Sequence, residues 1–321
     1  MNPSPTTLPF VASQTTHNNL GLGYALFAYS FWGLVPIFFK QLAFADAPTI
    51  IAHRIIWSVF FLTLVLLFKN GWSVFRQFAA LGKNLWWLAL NSLLIASNWL
   101  IFVWAVNQGR ILETSLGYFI TPLISIILGV LFLGERLRGF ERIAIALAAT
   151  GTAYLAVGLG HLPWISLALA LLFGFYGLVK KRLNTGALHG LFLETGFLLT
   201  PALGFLLLYP QAGNEYFFDL TIDRQLLLAS SGLATCIPLL AFAGAARRLP
   251  LSMLGFMQYL APTLSMLVAV FIYDEPFTQT HLIVFSLIWA GLVIYSTGNF
   301  LRASAASKQR AQLSIEQTTA R

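Results

Sequence analysis

Three side chains stand out in a chain that is otherwise apolar: His53 and Arg54, adjacent within PTIIAHRIIWSVF (48–60), and Glu194 within LHGLFLETGFLLT (188–200). A guanidinium in such surroundings can meet a carboxylate or phosphate on a solute, run its long stem to the nearest interface, or bond a backbone carbonyl. A carboxyl has a shorter stem and reaches an interface less easily. Glu194 is therefore either a proton carrier or a carboxyl hydrogen-bonded to a neighbouring helix. His53 lies about 100° around a helix from Arg54, so the two cannot point at one centre, and His53 is a second proton-site candidate.

The elements that must position these groups follow from composition. Of 321 residues, 58% are hydrophobic and 9% charged, where a soluble domain carries about a quarter charged residues. The apolar residues form long runs rather than amphipathic stripes, so the chain reads as an all-α polytopic membrane protein. Ten runs can cross about 30 Å of hydrocarbon as helices, approximately 20–39, 48–68, 85–106, 114–133, 142–160, 163–179, 188–209, 225–246, 253–273 and 280–300. Arg54 and Glu194 each stand six residues into their runs, about 9 Å deep from opposite faces, which leaves a vertical gap of about 12 Å.

The basic residues support this count. Fifteen of the 19 Lys and Arg fall on the side of the termini, among them Lys69, Arg136, Lys180, Lys181, Arg247 and Arg302; Lys40, Arg110 and Arg224 fall on the other. The positive-inside rule then places both termini in the cytoplasm. The same sorting explains the net charge of +8, so nucleic acid is not implied as a partner. The first run is too long for a signal peptide and is expected to be retained. The polar, basic tail after Leu301 is expected to be a disordered cytoplasmic end near anionic lipid.

Shifting the sequence by 140 residues lays Pro122, Ser125 and Glu135 on Pro262, Ser265 and Glu275, Ala105 on Ala245, Gly151 and Gly158 on Gly291 and Gly298, and Arg54 on Glu194. The ten runs are thus two sets of five. An odd number of crossings forces the halves into inverted topology, as in secondary transporters. The expected organisation is a polar tail over 1–19, a first repeat over 20–160, a second over 161–300 and a basic tail over 301–321.

Residues that could line a path between the halves lie on narrow helical faces. Run 4 carries Ser115, Tyr118, Pro122 and Ser125; run 9 carries Gln258, Tyr259, Pro262 and Ser265. Such stripes serve close packing or a cavity wall. Asn91 and Asn98, one heptad apart, need partners in hydrocarbon, and Trp32, deep in run 1, is a candidate wall. Prolines 36, 122, 201, 238 and 262 each free a carbonyl. The single cysteine, Cys236, excludes an intrachain disulfide, and the five histidines lack ligand spacing, so no metal or other cofactor is expected. No G-x-x-x-x-G-K-[ST] loop is present, which leaves gradients rather than direct ATP hydrolysis to drive a transport step. No convergent nucleophile and base suggests an enzyme.

HRIIWS (53–58), NWLIFVWAVN (98–107), ETSLGYFITPL (113–123), LGERLR (133–138) and LGFMQYLAPTL (254–264) closely resemble the RarD group of permeases. These belong to the EamA branch of the drug/metabolite transporter superfamily. The resemblance covers roughly 20–300 and implies a bacterial inner-membrane permease of ten helices in two inverted EamA repeats, its central cavity framed mainly by helices 1, 3, 4, 6, 8 and 9. The expected partners are a small-molecule substrate, the bilayer and, through Glu194 or His53, protons. The competing expectation is a membrane sensor or assembly partner built on the same duplicated scaffold without transport.

Overall fold

The computed structural model describes residues 9–70, 85–134, 139–159, 162–183, 187–209, 217–246, 248–249, 254 and 257–319. Among them every regular element is helical: α1 (Pro9–Gln41), α2 (Ala47–Asn70), α3 (Leu85–Asn107), α4 (Ile111–Leu133), α5 (Gly139–Leu159), α6 (Trp164–Leu183), α7 (Ala187–Leu208), a 3-10 turn (Phe217–Asp219), α8 (Ile222–Ala246), α9 (Leu260–Phe271) and α10 (Gln279–Thr319). Hydrocarbon leaves backbone amides no other partner, so runs of this apolarity must close their hydrogen bonds internally. Seven of the helices are long and apolar enough to cross a bilayer: α1 to α4, α7, α8 and α10. The apolar stretches of α6 (Trp164–Lys180) and α9 are shorter.

Each predicted run overlaps a helix, but three boundaries differ for physical reasons. Instead of giving way to a disordered tail, α10 continues to Thr319. Its Ala- and Gln-rich extension contains no Gly or Pro after Gly298, so nothing stops propagation once the membrane segment has nucleated the helix. At the other terminus α1 starts at Pro9, since proline is pre-organised for a first helical position. Run 9 is interrupted: Leu254 and Met257 are helical, Gln258 and Tyr259 form a turn, and α9 starts at Leu260. Pro262 lacks the N–H that would return to the Gln258 carbonyl, so the ladder is weakened at that turn.

Two layers of contact organise the bundle. The α2 helix packs between α7 and α8, α3 lies on α6 and α7, α1 on α8 and α9, α4 on α6 and α9, and α5 pairs with α10. The core gathers Phe39, Ile50, Leu62, Phe102, Phe119 and Phe285, all nearly without exposed surface. Helix axes approach most closely where a side chain is absent, as is usual between membrane helices. A Cβ on Gly232 of α8 would lie 2.5 Å from the Trp57 carbonyl carbon and 2.7 Å from the Ser58 nitrogen of α2.

One end of the bundle is tied by charge. After α9 the chain turns through Asp274, which takes a left-handed conformation with φ of 50°, and buries Glu275. The Glu275 carboxylate accepts the Ile111 and Leu112 N–H groups at 2.6 and 2.8 Å, capping the positive end of α4 from the far half of the chain. Burial raises the Glu275 pKa above the ordinary carboxylate value, while the two amides and the Lys40 ammonium oppose that rise. Lys40 donates to the Val106 and Asn107 carbonyls at the end of α3, at 3.0 and 3.4 Å.

The closeness of α2 and α8 makes Gly232 sensitive. Gly232→Ala should lower stability by about 1–3 kcal/mol through overpacking, whereas Gly23→Ala, with nothing within 4 Å of its added Cβ, should be neutral or slightly stabilising. Thermal unfolding of the detergent-purified variants measures both.

Candidate functional site

Arg54 enters the bundle from α2 and stays half-buried. Its Nε donates to Thr235 Oγ1 of α8 at 2.7 Å. The guanidinium carbon lies 4.1 Å from the Trp99 ring centre on α3 and 5.3 Å from that of Phe39 on α1. Tyr118 of α4 and Cys236 of α8 are close enough to interact with it electrostatically. Five helices thus converge on one cation, and the rings offer it their negative faces without neutralising it. Of its five N–H donors, only the Nε one is bonded to a described residue. Ion pairs among the described residues include Arg110–Glu113 and Lys180–Glu194, and no described carboxylate pairs with Arg54. Geometry of this kind can hold a carboxylate or phosphate oxygen against the free edge of the fork.

Tyr118 joins a polar chain beside this cation. Its hydroxyl donates to Asn98 Oδ1 at 3.1 Å, and Asn98 Nδ2 donates to the Leu169 carbonyl of α6 at 3.1 Å. Asn98 is thereby satisfied while buried, as an amide in hydrocarbon must be.

Glu194, on α7, has no exposed surface and forms a second centre. Its Oε1 accepts from Asn91 Nδ2 of α3 at 2.8 Å and from Lys180 Nζ of α6 at 2.9 Å; its Oε2 accepts from the Tyr176 hydroxyl at 2.9 Å. The sequence had sorted Lys180 with the charges outside the runs, but its ammonium turns inward onto Glu194. Tyr176 and Lys180 stand four residues apart, hence on one face of α6, and that spacing was the available signal for both. Thr235 gave no comparable signal, because helix register sets which hydroxyl of α8 meets Arg54.

The remaining candidates divide. Ser265 donates to the Gly33 carbonyl at 2.9 Å, and Ser115 to the Pro262 carbonyl at 2.6 Å; both hydroxyls serve helix packing. Ser125 is exposed and bonds back to Thr121 at 3.0 Å. Tyr259 stacks on Phe119, rings 6.5 Å apart and 12° from parallel, with Gln258 half-buried beside it. Trp32 packs with Tyr29 and Phe242 in a separate cluster. His53 is buried against Phe217, its Nε2 without a partner, and makes no bond toward Glu194. Because α4 begins at Ile111, it also takes in Glu113, paired with Arg110 at 2.6 Å, so Glu194 is not alone among acidic residues in the long apolar helices. Among the described residues no three His, Cys, Asp or Glu side chains form a metal-binding group.

A family model described as the EamA-like transporter family matches residues 19–157. The chain is 41% identical to an uncharacterized transporter of Vibrio cholerae, covering 90% of this chain and 96% of that one. Its fold is similar to that of a crystal structure with TM-score 0.55 and 20% identity, covering 87% of this chain and 96% of the other. The chain belongs to the EamA-like transporter family and is a multi-pass membrane protein of the transporter type. It falls in the RarD group: Protein RarD of Streptomyces exfoliatus is 43% identical over 90% of this chain and 92% of its own length.

Satisfaction of Glu194 by three donors predicts strong coupling to Lys180. Lys180→Met alone should destabilise substantially, by less than the about 3–5 kcal/mol of a fully buried pair, because Lys180 keeps 24% of its side-chain surface exposed. Lys180→Met with Glu194→Gln should recover much of that loss, so a double-mutant cycle read by thermal unfolding gives a coupling energy of at least about 1 kcal/mol.

Proposed function

We propose that the chain is a secondary permease for a small anionic or zwitterionic metabolite, with Arg54 binding the anionic group and the Glu194 centre handling protons. It crosses the bacterial inner membrane ten times, as two inverted five-helix halves with both termini in the cytoplasm. The observation that carries the substrate class is Arg54 itself. A guanidinium held by one neutral hydroxyl and two aromatic faces, with no other donor bonded to a described residue, is left with its charge to offer, and a bound anion is the group that would complete it.

The inverted halves are supported by contacts that repeat at the same interval. Gly151 faces Val284 and Leu287, and Gly291 faces Ala144 and Leu147. Each residue and its image meet the other's partners, as at an axis relating two equal halves. Trp104 meets Trp164, and their counterparts Gly244 and Tyr24 also touch. Phe119 stacks on its own counterpart, Tyr259. Inverted halves allow the two ends of one cavity to open in turn.

Protein in liposomes with a pH gradient should move amino acids or small organic anions at a rate that depends on the gradient. Arg54→Gln should reduce flux of the anionic substrate about tenfold or more, the usual worth of a charge-assisted contact, with little change in protein yield. Glu194→Gln should transport with its pH dependence flattened. Unchanged pH dependence in that variant ends the proton assignment, and absence of flux for every substrate class favours a sensor or assembly role.

A further inference from the structure

The repeat interval that relates Arg54 to Glu194 also relates Lys40, in the last turn of α1, to Lys180, near the end of α6. These two lysines are engaged differently. Lys40 Nζ sits at the C-terminus of α3, bonded to the Val106 and Asn107 carbonyls, with the Tyr273 ring centre 5.6 Å away. A cation is well placed there, against the last carbonyls of the helix and the negative end of its dipole. The equivalent place for Lys180 is the C-terminus of α8, at Ala246. Instead its ammonium is bonded to Glu194 and Tyr176. Packing follows the same division. Among the described residues α1 packs on α3, whereas their images, α6 and α8, make at most marginal contact.

We infer that Lys40 and Lys180 are paired positioning residues of an alternating gate. Lys40 holds the outer end shut by capping α3, Glu194 keeps Lys180 off the equivalent end of α8, and a proton on Glu194 frees Lys180 to shut the inner end. The inference rests on the inverted halves and orientation proposed above, and it deepens the role given there to Glu194. Protonation converts the carboxylate to a neutral carboxyl that can still accept from Asn91 and Tyr176 but no longer balances the ammonium. Among the described residues Lys180 is its only charged partner. From α6 come Lys180 and Tyr176, and from α3 Asn91. His53 and Arg54 on α2, Asp223, Arg224 and Cys236 on α8, and His189 on its own helix make no bond to Glu194. At the opposite end Glu275 reinforces Lys40 by gripping the start of α4 at the same α3–α4 corner.

Cys236 is the only cysteine of the chain. It is buried beside Thr235, the partner of Arg54, and so reports which face reaches the site. The experiment follows labelling of Cys236 by a membrane-impermeant maleimide in vesicles of known sidedness bearing the full-length protein. Lys40→Gln should speed labelling from the outer face, and Lys180→Gln from the inner face while slowing the outer, each by roughly tenfold, the population shift that one charge-assisted hydrogen bond supports. Glu194→Gln, which leaves both lysines in place but removes the charge that holds Lys180, should act oppositely to Lys180→Gln and speed labelling from the outer face. Wild type should move the same way as pH falls, and Lys180→Gln should not. Generalised loosening would shift both lysine variants alike, so shifts in the same direction, or no shift, overturn the gate. Opposite shifts with the faces exchanged support the gate and overturn the orientation. Absence of labelling in every protein from either face overturns both the gate and the alternating access on which it rests.

Discussion

A carboxylate with no exposed surface governs how α3, α6 and α7 can sit. Glu194 needs donors that hydrocarbon cannot supply, and it draws an amide from α3 and a phenol and an ammonium from α6. On α3 this fixes depth and rotation, because a displacement of one turn would bring Trp87 or Ile95 to the carboxylate in place of Asn91. Apolar packing alone is permissive in a membrane, where lipid tails compete on equal terms with side chains. The polar centre supplies register that packing cannot.

Arg54 presents the contrast. It lies at the matching repeat position, yet no described residue brings it an opposite charge. Aromatic rings surround it where Glu194 has donors, and the α2–α8 contact at Gly232 brings Thr235 close enough for a single bond. The carboxylate is bonded on both oxygens within the protein, whereas the guanidinium has one bond to a described residue. That difference underlies the two roles proposed for them.

Much of the helical layout was legible because runs of about twenty apolar residues have few alternatives in water or lipid. Run 2 began within one residue of α2, and run 3 coincided with α3. The ends of α1 and α10 were misjudged because charge marks where a helix leaves the membrane and not where it stops. Arg54 and Glu194 were visible as anomalies of type, but their partners were not. Lys180 looked like one more topological charge, since spacing along α6 shows its face and not what α7 places opposite. The stripes carrying Ser265 and Ser115 fitted close packing or a cavity wall alike, and only the approach of α1 to α9 and of α4 to α9 shows that these hydroxyls are used on neighbouring backbone.

The duplicated scaffold proposed above does not oblige its two copies to carry the same chemistry. Backbone symmetry is what alternating exposure would require, because the two end states are exchanged by the repeat relation. Side chains at matched positions are free to diverge, and they do so at the centre: arginine against glutamate at 54 and 194, tyrosine against glutamine at 118 and 258. Lysine stands at both 40 and 180, where the proposed gate sets the same task at each end, namely to meet helix carbonyls. Divergence at the centre and retention at the ends is the pattern expected when the ends must behave alike and the middle must hold one asymmetric solute.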